Sequence, residues 1–515
     1  MTRRSYEGLV VPAALYVASF ALLVASARAL GVATTEPPRL AAAIDAAQLF
    51  SPAGKLVFAW SERLDLALAA GRPSPLAPTI LGGYVWALLA RAPHATLDGL
   101  TAVRLGTVLF AAAVPPLVHA IARPWLGGPL ALLAAVLTLL SPRGLVDGAT
   151  LSGDGVAVAL ALGGLLFYLR SLDSRRAGEG LASAALFGLA AAVAPSSIAL
   201  VPAVAVHYLL ERPGATIRLA RLGHAPLPLA IAALPILGAF AFVLAQPYLA
   251  HDTTARLRDL ALDALSPSLR AGTWRGVPPL PDALPRTHAL VSLLVALPSS
   301  TAVLAVVGAV GLSRFPRSAL RDGGSRARLV ALALTVVALG PLVAPRGLLA
   351  FPSHWALALP FAAVLAAFGA GVVARAAPPR AALSALVLAV SAAAPLGACL
   401  PSASLGAFFP ALSGGASRAA RGGPLPLCDA TALGGLARAI DAERLESATV
   451  YAPDVPPDVW TWMQRLGRLR TEIVPTSRAS AATLLVVSGS ARGTGGTVLA
   501  EVHRDGQAIF TLLRR

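Results

Sequence analysis

Long apolar runs separated by short polar connectors dominate the first 400 residues. The first run, Leu9 to Ala27, follows Thr2-Arg3-Arg4. It is longer than the ~7–15 residues of a signal-peptide core, so it reads as an uncleaved span despite the cleavage-like Ala25-Ser26-Ala27. Further runs lie at about 100–122, 128–142, 154–170, 180–195, 196–211, 226–246, 289–312, 329–345, 351–375 and 381–400. Crossing a bilayer as a helix takes ~20 apolar residues. The pattern therefore predicts a polytopic α-helical membrane domain over 1–400, with about eleven transmembrane helices.

Two polar stretches interrupt this pattern. The longer, 31–99, carries Glu36, Asp45, Lys55, Glu62 and Asp65. Within it, Pro37-Pro38 reads as a chain break and Arg39 to Phe50 as a short helix. Lys55 to Ala70 reads as an amphipathic helix with Leu56, Val57, Trp60, Leu64 and Leu68 on one face, suited to the membrane interface. The 76–90 run is apolar but short, and is expected to dip into the membrane and return. The second long stretch, 247–288, has the length of a binding loop or lid.

After residue 400 the period changes. Residues 401–426 are rich in Gly, Ser, Pro and Ala and read as a linker. Beyond it, helical and strand-like segments alternate, and Arg504-Asp505-Gly506-Gln507 gives a hairpin signal. Residues 427–515 are expected to form a small α/β domain.

Composition agrees with the pattern. The chain is 56% hydrophobic and 13% charged, against ~25% charged in soluble domains. Its formal charge of +17 comes almost wholly from arginine, because Lys55 is the only lysine. In a soluble protein such a charge would suggest nucleic acid. Here the arginines lie between spans, where they set orientation, and no nucleic acid is expected. With the N-terminus inside, Arg123, Arg170, Arg175, Arg176, Arg212, Arg218 and Arg221 all fall on the inner side. So do Arg314, Arg317, Arg321, Arg326, Arg328, Arg375 and Arg380. One crossing more, at 76–90, would invert them all. This layout puts the first loop, 247–288 and the C-terminal domain outside. Cys399 and Cys428 would then share an oxidising side; a disulfide and two free thiols both remain open. No Cys/His spacing suggests a zinc site.

Candidate chemistry gathers on the outer side, and each residue has two readings. Glu36, just past the first span, suits a general base or a metal ligand, or is a solvated loop acid. Asp154 opens a wholly apolar span, where a charge calls for a wet cavity or a partner; it also suits the helix dipole, with Ser152 as cap. Asp147 is the substitute acid. Arg346 is an outer arginine suited to bidentate phosphate binding or to ordinary headgroup contact. His354, near Trp355, is a ligand-binding or a structural histidine. Lys55 meets a phosphate or snorkels.

The order of these pieces resembles the GT-C superfamily, the polytopic glycosyltransferases that include protein O-mannosyltransferases and the aminoarabinose transferase of lipid A. Those families show an Asp-Glu pair after span one, a helical run and a His-Pro-Pro-Leu-like turn. An Ala-Arg-Leu start to span two follows, then a Ser-Pro end to span three, an Asp a dozen residues on, and a late Arg-Tyr-Leu-Leu-Pro-like stretch. The counterparts here are Glu36, Ala41-Ala42-Ala43-Ile44, Arg72-Pro73-Ser74-Pro75-Leu76, Val103-Arg104-Leu105, Ser141-Pro142, Asp154 and Arg346-Gly347-Leu348-Leu349 with Pro352. The chain departs from them in Thr35-Glu36, which lacks the Asp, and in Arg72, which replaces the His.

The resemblance implies a glycosyltransferase of the cytoplasmic membrane. Its donor would be a polyprenyl-phosphate sugar and its acceptor a lipid, a glycan or a protein. Glu36 would act as base or orient the hydroxyl, and Asp154 would line the same cavity. Arg346, with Arg72, Lys55 or His354, would bind substrate. A divalent metal is left open as cofactor. The alternatives are a transporter or lipid-handling protein without transfer chemistry, a catalytically inactive relative, and an assembly protein acting through its outer domain.

Overall fold

The structure is a computed structural model. It describes residues 3–30, 98–151, 153–174, 176–211, 229–246, 253–258, 297–314, 356–376, 429–453, 455–488, 496–504 and 507–514. It also describes short groups or single positions within 32–43, 81–89, 249, 273–274, 329–332, 383–390 and 424–425. The longer described helices of the first part are, in chain order, α1 (Arg3–Ala29), α2 (Gly99–Ala111), α3 (Val114–Leu126), α4 (Gly128–Leu139) and α5 (Pro142–Ala149). They continue as α6 (Asp154–Ser174), α7 (Ala177–Val193), α8 (Leu200–Glu211), α9 (Ala239–Leu244), α10 (Ser299–Arg314) and α11 (Ala358–Ala376).

Four described helical stretches are long and apolar enough to cross a bilayer: Val10–Arg28, Gly99–Leu126, Asp154–Ser174 and Ala358–Arg375. The bent pair α4–α5 makes up to five. Shorter apolar helices at Ala177–Val193, Ser197–Leu210, Leu234–Leu244 and Ser299–Leu312 fall within stretches expected to cross. The chain is a mostly helical polytopic membrane protein. The expected spans 329–345 and 381–400, the body of the 247–288 loop, the linker and both cysteines lie almost wholly outside the described residues.

Two proline sites differ from the sequence reading. The run 128–142 gives α4, which stops at Leu139, close to the expected end at Ser141-Pro142. The chain then bends by 62° between α4 and α5, and the expected turn after Ser141 is the helix α5. Pro142 has no N–H with which to continue α4, but it suits the first position of a new helix. The Ser141 hydroxyl caps that helix by accepting from the Gly144 amide at 3.4 Å. Likewise Pro37 opens a helical turn instead of breaking the chain. The Glu36 carbonyl accepts from the Arg39 and Leu40 amides at 2.9 and 2.8 Å, so Glu36 stands where the turn begins.

Small residues let the helices approach closely, as is usual where lipid gives no hydrophobic drive for association. A methyl group on Gly369 of α11 would lie 2.0 Å from the Leu304 carbonyl oxygen of α10. One on Gly308 would lie 2.1 Å from that of Leu365. The main apolar core runs through α3, α4, α6, α7, α10 and α11, with Leu162, Leu165 and Phe361 fully enclosed.

The C-terminal residues form a five-stranded sheet: β1 (Ser447–Tyr451), β2 (Glu472–Pro475), β3 (Leu484–Ser488), β4 (Thr497–Arg504) and β5 (Gln507–Arg514), in the order β2-β1-β3-β5-β4. β1 runs parallel to β2 and β3, while β5 pairs antiparallel with β3 and β4. Two helices, α12 (Asp429–Ala442) and α13 (Pro457–Arg465), complete this unit. Trp460 of α13 is 1% exposed and is its largest enclosed side chain. The core of the unit is continuous with Val32, Leu40, Leu100, Val103 and Leu151 of the helical part. It thus sits at the end of the bundle where α1 finishes and α2 and α6 begin.

Candidate functional site

At that end of the bundle α1 stops, and a helix terminus leaves carbonyls without intrahelical partners. Arg104, in the second turn of α2, supplies the missing donors. Its Nη1 donates to the Ala27 and Leu30 carbonyls at 2.9 and 3.0 Å. The guanidinium also favours this helix end electrostatically, because the macrodipole is negative there.

The other edge of the same guanidinium meets Glu36. Nε donates to Oε1 at 2.9 Å and Nη2 to Oε2 at 2.6 Å, the fork-to-fork geometry of a charge-assisted pair. Both side chains are 0% exposed. Oε1 accepts in addition from the Leu151 amide at 2.9 Å. The Arg39 guanidinium donates to the Leu151 carbonyl. Leu151 is therefore held at both of its backbone polar groups, the amide by Glu36 and the carbonyl by Arg39. Gly153, at φ +81°, then turns the chain in a conformation that only glycine adopts without strain. Asp154 follows as the first residue of α6 and is half-buried.

The network has a clear mechanical consequence. Glu36 does not stand in water as one more loop acid. It ties the end of α1, the start of α2 and the turn before α6 to one point. Its two oxygens receive at least three donors of the protein itself, and no part of it is exposed.

Asp147 is also buried. It forms an i,i+4 pair with Arg143 on α5, Nη2 to Oδ1 and Nε to Oδ2 each at 3.0 Å. It borders a small cavity of about 50 Å³ lined mostly by apolar side chains, among them Leu23, Val114, Leu145 and Val158. Among the described residues no three His, Cys, Asp or Glu side chains come together. Lys55, Arg72, Arg346 and His354 lie outside the described residues.

Sequence reasoning quoted Arg104 only as part of a motif, and it passed over Arg39. A signal was present for the first. An arginine five residues into an apolar run is costly in lipid unless it has a partner. The nearest acids before it in the outer loop are the natural ones to test, and Glu36 is among them.

Residues 81–244 match the family described as dolichyl-phosphate-mannose-protein mannosyltransferase. The matched stretch contains Arg104, Leu151 and Asp154. The fold is similar to that of ArnT from Cupriavidus metallidurans in the apo state, with 14% identity and a TM-score of 0.51 over 99% of this chain and 98% of that one. It is similar also to ArnT from the same organism bound to undecaprenyl phosphate, with 14% identity and a TM-score of 0.50 over 97% of each chain. No curated protein matches the chain. The chain therefore shares the fold of ArnT, and the match over 81–244 supports the resemblance to the GT-C superfamily carried by its sequence.

Proposed function

We propose that this protein is a membrane glycosyltransferase that moves a sugar from a polyprenyl-phosphate donor to a lipid, glycan or protein acceptor. The observation that carries the reading is the match over 81–244, because it covers the helices that hold Arg104 and Asp154 and the turn that holds Leu151. The ArnT structure with undecaprenyl phosphate bound supports a polyprenyl-phosphate partner.

In this reading Asp154 is the carboxylate that faces the acceptor hydroxyl and takes its proton as the sugar is transferred. Glu36 orders the site through Arg104 and Leu151, since its own oxygens are already directed at donors. Arg346, with Arg72 or Lys55, neutralises the donor phosphate, and His354 lines the same region. A cation near the leaving phosphate stabilises the charge that grows there as the sugar departs. A divalent metal would serve the same end.

The proposed topology has eleven spans, the N-terminus inside and the C-terminal unit outside. The packing of that unit on the end of α1 supports it, together with Arg3 and Arg4 at the opposite end. Labelling of a cysteine placed at position 430 from the outer side tests it, and labelling only from the cytoplasm overturns it.

A second reading has two observations in its favour. Thr35-Glu36 lacks an Asp, and Glu36 is consumed by Arg104. A relative that binds the polyprenyl phosphate without transferring sugar fits those facts. Purified protein in nanodiscs, given radiolabelled polyprenyl-phosphate sugars, separates the two. Transfer or sugar release that is lost in Asp154→Asn supports the transferase. Binding of the lipid with no turnover supports the second reading.

A further inference from the structure

Two guanidinium groups close on the end of α1, and only one belongs to the bundle. Arg468, from the C-terminal unit, donates through Nη1 to the Arg28 carbonyl at 2.7 Å. Its Nη2 reaches both oxygens of Asp98, at 2.9 and 3.0 Å, and lies 3.3 Å from the Thr101 hydroxyl. Asp98 is itself the N-cap of α2, where its Oδ1 accepts from the Thr101 amide at 3.0 Å. Arg468 therefore fastens the last carbonyls of α1 to the first turn of α2. Arg104 does the same from one and a half turns deeper in α2, through Ala27 and Leu30.

Arg468 is placed by a rigid device. Gly467 sits at φ +68° just past α13. Its amide donates to the Gln464 carbonyl at 3.0 Å and the Arg468 amide to that of Met463 at 2.8 Å. These are the two bonds of a Schellman cap, which fixes the direction of the chain as it leaves a helix. The cap aims Arg468 at the bundle while Met463 and Trp460, one and two turns back, anchor α13 in its own core.

We propose that Arg468 is a positioning residue of the transfer site. The C-terminal unit holds α1 and α2 in the register that lets Arg104 carry Glu36, and lets Glu36 carry the Leu151 peptide ahead of Asp154. This rests on the transferase reading given above.

Hydrogen exchange on the full chain in nanodiscs tests it without needing turnover. Three places report: the Leu151 amide, which donates to Glu36; the first turn of α2; and strands β1 and β5 as a control. In Arg468→Gln, exchange at Leu151 and at 98–104 rises ~10-fold or more while β1 and β5 keep their protection. Arg468→Lys, which keeps the charge but loses the fork, rises less. Arg470→Gln removes the same charge two residues away on an exposed side chain and leaves all three unchanged. Should β1 and β5 also lose protection in Arg468→Gln, Asp98→Asn decides. It keeps a capping side chain, leaves the C-terminal unit intact, and must raise exchange at Leu151 by itself. An unchanged Leu151 amide in Asp98→Asn and Arg468→Gln overturns the proposal.

Turnover gives the second arm. Arg468→Gln lowers kcat ~10-fold with the donor KM within about twofold, as misplacement of a reacting group does. Full kcat despite loosened exchange overturns the positioning role. A wild-type protein that turns over no donor counts against the transferase reading alone, because the exchange arm is read independently.

Discussion

Arg104 and Glu36, separated by 68 residues, meet in a doubly hydrogen-bonded ion pair from which solvent is wholly excluded. The attraction of such a pair is offset by the cost of removing both charges from water, so it is weak grounds for stability. Removing one partner is another matter, because the remaining charge stays buried and unpaired. Arg104→Met is expected to cost ~3–5 kcal/mol, with loss of order at Ala27 and Leu30. Glu36→Gln with Arg104→Met recovers much of that. Thermal unfolding of the three variants in detergent is the measurement. Equal loss in the single and double variants would show that the pair does not act as a unit.

Asp154 separates the transferase from its inactive alternative. Asp154→Asn keeps the volume and removes the charge from the first turn of α6, whose interaction with the helix dipole is worth ~0.3–1 kcal/mol. The melting temperature is measured beside turnover. Turnover of the radiolabelled donor should fall ~10²–10⁴-fold, the range for a lost general base. A variant that keeps full turnover moves the role to another acid, Asp147 first.

The contact between Asp98 and Arg468 sets a pH dependence. Burial works to raise the carboxyl, but the Thr101 amide, the Arg468 charge and their side-chain bonds outweigh it, and the pKa lies below the ordinary 3.8. A group whose folded pKa is depressed contributes stability above its unfolded value and loses it as pH falls through the folded one. Docking of the C-terminal unit is therefore constant at neutral pH and weakens only in acid below about 4. Exchange at 98–104, followed from pH 7 to pH 2.5, should show that weakening in the wild type. Asp98→Asn should be flat across the same interval.

The close approach of α10 and α11 gives a steric prediction. Gly369→Val places a side chain where Leu304 already has its carbonyl, 2.0 Å from an added Cβ. The helices must separate, and overpacking of this kind costs ~1–3 kcal/mol or more. Gly128→Ala is the comparison, since nothing lies within 4 Å of a Cβ there. Yield of folded protein and melting temperature should fall in the first and hold in the second. Equal behaviour would mean that the two helices are free to shift.

The helical, membrane-spanning character was legible because lipid demands long apolar runs, and such runs are local. Asp154 was legible for the same reason, as a charge opening a span. The end of the third run at Ser141-Pro142 was legible too, but not the helix that Pro142 opens behind the Ser141 cap. Pro37, read as a break, begins a helical turn, because a proline can open a helix as readily as end one. Glu36 was singled out, but as an acid free to react. The partners that occupy it, Arg104 and Leu151, lie 68 and 115 residues away in the chain, and no spacing rule joins them. Arg104 had announced its need for a partner by sitting in an apolar run, without saying which acid would meet it.

By itself, then, the sequence determined that this chain crosses a membrane many times and keeps a polar stretch beyond its first span. Both follow from hydropathy, which acts residue by residue. Only the tertiary structure decided that Glu36 is a buried tie, that α4 and α5 bend apart, and that Arg468 closes on Asp98 and the end of α1. Those outcomes depend on which donors reach which orphaned carbonyls and carboxylates once the helices pack, and packing is a property of the whole chain.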